Sequence, residues 1–216
     1  GYLPEAMVNF LALLGWSPGG DRELMTRAEL VDAFDFTGIS GGNAVFNTEK
    51  LDWMNGQYIA RLPAARLVDM VSPLLHEAGL TPNPDPAWMA RLMALLQPRA
   101  KRLTDFVEQA RPFLVEQVEY EADAQTKHLQ SPAAAAHVAT LQAVLGAVQP
   151  FDEAAVEAAI RQAAADKGVK AGELIHLARV AMTGRTTSPG IFEVLVLLGH
   201  SRVRARLQHL GAYLTR

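Results

Sequence analysis

The sequence has 216 residues, half of them hydrophobic, and a formal net charge of −3. This length suits one or two domains, and the hydrophobic content is sufficient for a sizeable core. Because there is no cysteine, disulfides and thiolate metal sites are excluded, and no apolar run approaches the ~18 residues that a membrane span needs. These features favour a cytoplasmic protein that makes no membrane contact.

Helical patterns begin almost at the first residue. Pro4 suits a first helical turn, and Gly15 ends the first predicted helix. Thr26 and Glu29 have the spacing of a capping box that opens a second, short helix. Because the chain starts with Gly1 and enters a helix almost directly, we expect it to be a piece of a longer protein. The Gly-rich segment 37–46 indicates an irregular loop that does not fit a phosphate-binding motif.

The remaining elements are also predicted as helices. Two of them cover residues 46–59 and 63–79, and three prolines between positions 82 and 86 then break the pattern. The run FEVLVLLG at 192–199 fits a strand or a short buried helix equally well. Further helices are expected near residues 86–96, 104–109, 112–128, 132–146, 152–167, 170–182, 190–197 and 200–214. The sequence therefore predicts an all-α fold of two consecutive helical units.

No self-contained active site is apparent. No pair of the six histidines has a metal-binding i, i+4 spacing with a Glu between. The serines of TGISGG and TTSPG lack the G-x-S-x-G spacing of a nucleophile elbow. We therefore predict no catalytic residue and no metal site in this chain.

Charge points instead to recognition. Residues 161–216 carry nine Lys or Arg against three Asp or Glu, a net charge of +6, whereas residues 103–160 carry −7. One interpretation of this uneven charge is that the C-terminal region presents a basic face to an anionic partner. The alternative is that the charged segments are ordinary solvated surfaces. The arginines that stand out are Arg99, Arg102, Arg179, Arg202, Arg204 and Arg206.

Several segments resemble the C-terminal half of bacterial-type glutamyl-tRNA synthetase, a class I aminoacyl-tRNA synthetase. GYLPEAMVNFLALLGW is similar to the segment that follows the family's KMSKS-type loop. FNTEKLDWMNGQYI is similar to its Lys-Leu-x-Trp-x-Asn pattern, and ARVAMTGRTTSPGIFEVLVLLGHSRVRARL to its Arg-x-Ala-Leu-Thr-Gly and Ser-Pro-Gly signature. QPRAKRLTDF is a weaker fourth match, and all four occur in the family's order.

The resemblance implies a division of labour within a longer protein. Residues 1–80 would be a helical stem-contact region and residues 81–216 an α-helical anticodon-binding bundle, with a further division near residue 130 left open. The catalytic domain, which uses ATP and Mg²⁺, would lie upstream in cis, so this fragment would need no cofactor and would not catalyse the reaction alone. The implied partner is tRNA(Glu), and no DNA contact is expected.

The resemblance also implies roles for individual residues. Its anticodon-reading positions correspond to Arg99, Arg179, Ser188 and Ile191. Arg102 is the alternative candidate for the family position assigned to Arg99, because QPR stands where the family has Glu-Arg.

In the helix at 46–59, one face is expected to pack inward and the other to meet the catalytic domain or the tRNA. The inward face contains Leu51, Met54 and Tyr58. The outward side contains Lys50, Trp53 and Asn55, and we expect Trp53 to be unusually exposed.

Two other functions remain open at this point. One is a helical protein-interaction module without RNA binding, which would keep only the fold. The other is a paralogue that charges tRNA(Gln).

Overall fold

In the computed structural model, residues 1–42 and 44–215 are described, and they form helices and connecting segments with no β-sheet. A single antiparallel bridge joins Trp16 to Ile39. The all-α prediction is thus confirmed. The chain divides into two compact units, Gly1–Gln109 (unit 1) and Ala110–Arg216 (unit 2). The predicted division of roles at residue 80 concerns RNA contacts and stays a prediction.

Unit 1 is built from five helices whose starts follow local sequence rules. Thr26 accepts a hydrogen bond from the Glu29 amide while the Glu29 carboxylate accepts one from the Thr26 amide, so the predicted capping box is confirmed. Phe10, Leu51 and Met54 form a buried cluster. The helices are α1 (Pro4–Gly15), α2 (Arg27–Ala33), α3 (Thr48–Ile59), α4 (Ala64–Glu77) and α5 (Pro86–Leu96), with 3₁₀ turns at Phe36–Gly38 and Gln97–Arg99.

Unit 2 begins within α6 and forms a bundle in which α8 packs against α9, α10 and α12. The run FEVLVLLG is helical because it is enclosed: Val194, Leu195, Leu197 and Leu198 are all buried. The helices are α6 (Asp105–Leu114), α7 (Ala122–Ala124) with a π-helical turn at Gln125–Leu129, α8 (Ala134–Ala147), α9 (Glu153–Asp166), α10 (Ala171–Thr183), α11 (Ile191–Leu198) and α12 (His200–Leu214).

The predicted helix at 112–128 is wrong. Helix α6 continues through Pro112 to Leu114, and the chain then runs without helix to Glu121 before α7 begins. A helix end leaves backbone carbonyls without intrahelical partners. Here the carbonyls of Phe113 and Pro112 accept hydrogen bonds from Arg202 and Arg206 of α12, which lie 89 and 94 positions later in the sequence. Local pattern alone could not locate this helix end.

Arg206 is the main cap of α6. Its side chain is 3% exposed, and its Nη2 donates to the carbonyl oxygens of Pro112 and Val115, each at 2.6 Å. The Nε donates to Glu116 O at 3.2 Å, and Nη1 donates to Met182 O. Burial lowers the pKa of Arg206 to about 10, so the guanidinium is still protonated at neutral pH.

Arg202 has a related role, because its Nη1 donates to Phe113 O at 2.6 Å. Arg202 and Arg206, four residues apart, could both contribute to the basic face considered for residues 161–216. That expectation is wrong for Arg206, whose buried guanidinium binds the protein's own backbone, whereas Arg202 is half-buried and donates to the backbone through Nη1. Of the three arginines in SRVRARL, Arg204 is the exposed one.

The described residues include neither a membrane-spanning helix nor a metal-binding cluster. None of the described helices is long and apolar enough to cross a bilayer. No group of three or more His, Cys, Asp or Glu residues in 1–42 and 44–215 is arranged to hold a metal ion.

Candidate nucleic-acid interface

The connection between α10 and α11, residues 184–190, is held by a glycine in a left-handed conformation. Gly184 ends α10 with φ of +74° and donates its amide to Val180 O at 2.8 Å. Its own carbonyl accepts from the Glu121 amide at 2.9 Å. A Cβ at this position would collide with the Glu119 carbonyl. The backbone of α10 therefore approaches residues 119–121 more closely than any side chain permits.

Arg179 and Ser188 meet at this connection. Arg179 lies one to two turns before the end of α10, and its Nε donates to Ser188 Oγ at 2.9 Å. Ser188 Oγ in turn donates to Pro189 O at 2.8 Å. Arg179 Nη1 is 3.2 Å from Nδ1 of His176, one helical turn earlier. Two residues that the resemblance marked as anticodon readers are thus in direct contact, and the plane of the guanidinium is fixed from two sides.

Two histidines that no sequence motif marked, His128 and His176, extend this cluster. The rings of His128 and His176 stack with centroids 5.3 Å apart and an angle of 14° between their planes. Burial lowers the pKa of His128, and the adjacent His176 and Lys127 act in the same direction. His128 is therefore mostly neutral at pH 7 and offers a flat ring beside Arg179. No sequence spacing linked His128 to His176, because they meet only through the packing of the π-helical turn on α10.

The opposite side of the connection is tied to α7 and the segment before it. Thr186 Oγ1 donates to Asp123 Oδ2 at 3.2 Å, and Asp123 is also paired with Lys127 at 2.8 Å. Arg185 forms an ion pair with Glu121 at 3.0 Å. We define the polar cluster as the groups assembled here: His128, His176, Arg179, Thr186 and Ser188.

The other three predicted anticodon residues have different surroundings. Ile191 is 3% exposed at the start of α11, so its side chain belongs to the core and presents no face for a base to stack on. Arg99 is exposed in the 3₁₀ turn of unit 1. Arg179 and Ser188 are in direct contact within unit 2, whereas Arg99 and Arg102 belong to unit 1.

Arg102 is committed to an ion pair within unit 1. Its Nε and Nη2 donate to the two carboxylate oxygens of Asp52 at 2.7 and 2.8 Å, and its guanidinium lies 4.9 Å from the centre of the Tyr2 ring. The hydrogen bonds from Arg102 hold the pKa of Asp52 below its ordinary value. A bidentate pair of this kind has a structural role, since it joins α3 to the segment after α5.

Helix α3 has the two faces that its sequence predicted, with one exception. Leu51 and Met54 are buried, and the Tyr58 hydroxyl reaches Asn9 Oδ1 at 2.7 Å. Trp53 is 44% exposed, as expected. The expectation that Asn55 faces outward is wrong, because its side chain is fully buried.

Asn55 connects three segments of unit 1. Its Oδ1 accepts from the Leu3 amide at 2.8 Å and its Nδ2 donates to Lys101 O. On the outer part of α3, Lys50 pairs with Glu23 at 2.6 Å. The asparagine in WMNG is thus a structural residue, whereas Lys50 and Trp53 are accessible to a partner.

Substituting Asn55 with alanine should therefore destabilise unit 1. The change leaves the Leu3 amide and the Lys101 carbonyl without partners, which costs about 1–3 kcal/mol. Urea unfolding followed by circular dichroism measures this loss. Thr48→Ala, an exposed position on the same helix, is the matched control and should change stability by no more than ~0.5 kcal/mol. Equal stability of the two variants would contradict the assignment.

Comparison with known protein families identifies the chain. The family model described as an anticodon binding domain matches residues 66–210, more than half of the sequence. The chain belongs to the anticodon binding domain family. A second model, the catalytic domain of class I tRNA synthetases (E and Q), matches residues 1–53. This anticodon binding domain protein thus carries, in α1 to α3, sequence that the catalytic family also includes.

The relatives of this anticodon binding domain protein agree with the resemblance drawn from sequence. It is 40% identical over 210 residues to glutamate–tRNA ligase 2 of Koribacter versatilis, with 96% of this chain and 44% of that protein covered. It is 35% identical over 218 residues to the glutamate–tRNA ligase of Moorella thermoacetica, with 99% and 44% covered. The resemblance to the C-terminal half of glutamyl-tRNA synthetase is confirmed. The chain spans less than half the length of these relatives.

A solved structure shares the fold of this anticodon binding domain protein. The glutamate tRNA ligase from Elizabethkingia meningosepticum, solved in complex with its amino acid, matches with a TM-score of 0.89. The match covers 99% of this chain and 42% of that one at 24% identity. At this identity the likeness concerns the fold alone.

Proposed function

We propose that this chain is the tRNA-binding, anticodon-reading part of a glutamate–tRNA ligase that attaches glutamate to tRNA(Glu). Two relatives with 35% and 40% identity carry the name glutamate–tRNA ligase, which supports the proposal. ATP and Mg²⁺ would act in the catalytic domain of the full-length protein, in cis with this chain. A cytoplasmic location stays a prediction.

The observation that carries the proposal is the contact between Arg179 and Ser188. An unpaired anticodon base exposes hydrogen-bonding edges, which proteins read with polar side chains and planar groups. A guanidinium is a rigid fork of donors, so its discrimination depends on how firmly its plane is held. Here Ser188 and His176 hold that plane. The hydroxyls of Ser188 and Thr186 add groups that can donate or accept.

The stacked histidines suit the same partner. A base that is turned out of its stack can regain stacking on an aromatic side chain, which contributes about 1–3 kcal/mol per base. His128 and His176 already lie parallel to each other, and His176 contacts the Arg179 guanidinium. We therefore propose that the anticodon loop binds at the polar cluster of unit 2.

The test is Arg179→Ala in a tRNA-binding measurement. We expect binding of tRNA(Glu) to weaken by about 1–3 kcal/mol and discrimination against altered anticodons to relax. Arg161→Ala is the matched control, because Arg161 is a basic residue of α9 paired with Glu157 in the same helix at 2.6 Å. The control should keep anticodon discrimination. An Arg179 variant that binds and discriminates like the parent would contradict the proposed role.

The two alternatives have distinct outcomes in related experiments. A helical interaction module without RNA contacts predicts no tRNA binding by the unaltered chain. A paralogue for glutamine predicts that the full-length protein charges tRNA(Gln) in preference to tRNA(Glu). The relatives' names favour the glutamate ligase over both.

A further inference from the structure

Arg179 has an unusual neighbour for a cation, which is a histidine ring. Its Nη1 lies 3.2 Å from Nδ1 of His176. A guanidinium has only donors, so Nδ1 must be the acceptor in this contact. A neutral imidazole carries a single ring N–H proton, which must therefore lie on Nε2. The contact thus exists only while His176 is neutral and in this tautomer.

The ring of His176 is stacked on a second imidazole. We define the imidazole pair as His128 and His176, whose planes meet at 14° with centroids 5.3 Å apart. His176 is exposed to solvent and His128 is half-buried. Solvent protons therefore reach the ring that contacts Arg179, while the half-buried ring packs against it.

The charges around the imidazole pair disfavour a further proton. Burial is the main cause that lowers the pKa of His128, followed by His176 and Lys127. Arg179 acts in the same direction and Asp123 in the opposite one, but Asp123 is already paired with Lys127 at 2.8 Å. A second positive charge beside the Arg179 guanidinium would be repelled by it, because like charges at close range disfavour each other.

Titratable groups on α10 and on helices packed against it are engaged with other partners. These groups are Glu173 with the Lys170 amide on α10, Arg161 with Glu157 on α9, Glu193 beside Gly190 on α11, and, on α12, Arg202 and Arg206 with backbone carbonyls and His209 with Tyr120. Helix α8 contributes His137, which is half-buried. With these groups engaged, the charges that act on the imidazole pair are those of Lys127, Asp123 and Arg179.

We propose that His176 is a positioning residue for anticodon reading, which fixes the Arg179 guanidinium while it is neutral and releases it when the imidazole pair is protonated. A guanidinium reads a base edge only if its plane is held, and the His176 contact is one of those that hold it. A proton on Nδ1 turns the acceptor into a donor and places an imidazolium against the guanidinium. This inference rests on the proposed function, and it adds that discrimination between anticodons falls at acid pH.

Acid pH should affect discrimination and affinity in different ways. General RNA binding does not weaken when a protein gains positive charge, because the phosphates attract that charge. Loss of one orienting hydrogen bond instead reduces the difference in affinity between the correct base and a wrong one, by about threefold to tenfold. A fall in discrimination without a fall in affinity for the wrong anticodon therefore indicates a released Arg179.

The test measures binding of tRNA(Glu) and of the same tRNA with an altered anticodon at about pH 7.5 and about pH 5.5, on either side of the ordinary histidine range. We expect the ratio of the two affinities to fall about threefold to tenfold at the lower pH. His137→Asn on α8, outside the polar cluster, is the control and should show the same fall as the parent. A ratio that does not change with pH would overturn the role of His176, whereas absence of tRNA binding at both pH values would refute the proposed function as well.

Two substitutions of His176 separate the ring from the acceptor. His176→Phe keeps a flat ring but has no acceptor, so it should lower the affinity ratio at neutral pH and reduce its pH dependence. His176→Asn supplies an acceptor close to the Nδ1 position without a titrating group, so it should recover part of the ratio at both pH values. Equal ratios for the two variants would show that the acceptor does not contribute and would overturn the proposal.

Nuclear magnetic resonance of the 216-residue chain gives a measurement that needs no RNA. Nitrogen–proton correlations of the imidazole rings identify which nitrogen carries the proton. We expect the proton of His176 on Nε2 at neutral pH, and the Arg179 Nε–H signal should shift as the imidazole pair is protonated. A proton on Nδ1 of His176 at neutral pH would overturn the contact on which the proposal depends.

Discussion

Replacing Arg206 with alanine is expected to destabilise unit 2 by about 3–5 kcal/mol, because a buried cation with fixed partners is removed and those partners stay behind. Four backbone carbonyls would lose a donor: those of Pro112, Val115, Glu116 and Met182. Three of them lie at the end of α6 and just beyond it. The variant should therefore unfold at a lower urea concentration, and hydrogen exchange should quicken first around residues 112–121.

Arg204→Ala is the matched control for this prediction. Arg204 lies on the same helix, has the same side chain and is exposed, so its removal should cost no more than ~0.5 kcal/mol. The comparison separates the carbonyl contacts of Arg206 from the general effect of removing a charge from α12. A stability of the Arg206 variant equal to that of the Arg204 variant would show that the α6 carbonyls are satisfied without this side chain.

Gly184→Ala is expected to produce the second large loss, about 2–5 kcal/mol. A left-handed conformation costs a residue with a Cβ roughly 1–2 kcal/mol. The new methyl group would in addition collide with the Glu119 carbonyl, and overpacking of this kind costs about 1–3 kcal/mol. Because the connection 184–190 positions Ser188, the variant should also bind tRNA less well. Urea unfolding and a tRNA-binding titration measure the two effects.

Gly168→Ala separates the two causes. Gly168 has a similar φ of +66° in the turn after α9, but no atom lies close enough to meet an added Cβ. It should show only the conformational cost of about 1–2 kcal/mol. If both glycine variants lost the same stability, the close approach of α10 to residues 119–121 would not contribute.

Much of the fold could be predicted from sequence because many of its helix boundaries are determined by residues close to them in the chain. The capping box of Thr26 and Glu29 and the prolines at positions 4 and 86 act within one turn of a helix, so their effect does not depend on the rest of the protein. The end of α6 could not be predicted, because it is determined by Arg206 from a distant helix. Pro112 suggested a helix start there, yet the helix passes through it.

The candidate site was predictable to a smaller extent. Family motifs identified Arg179 and Ser188, and the structure brings them into contact. Sequence spacing could not show that Ile191 faces the core, because an isoleucine at a helix start can be buried or exposed. Nor could it show that Asn55 bridges two backbone segments, because an asparagine on a helix is compatible with either a buried or an exposed position. The pairing of His128 with His176 depends on tertiary packing and had no signal in the sequence.

The hydrogen bonds of Arg202 and Arg206 to the protein's own backbone affect how strongly tRNA binding should depend on salt concentration. A protein cation releases a counterion from RNA only when it meets a phosphate, and each such contact adds roughly 0.7 to the slope of log affinity against log salt for single strands. Arg206 is buried with its donors on carbonyl oxygens of its own chain, so it releases none, and Arg202 already donates to Phe113 O. The ionic-strength dependence of tRNA binding should therefore be shallower than the charge count of this region suggests.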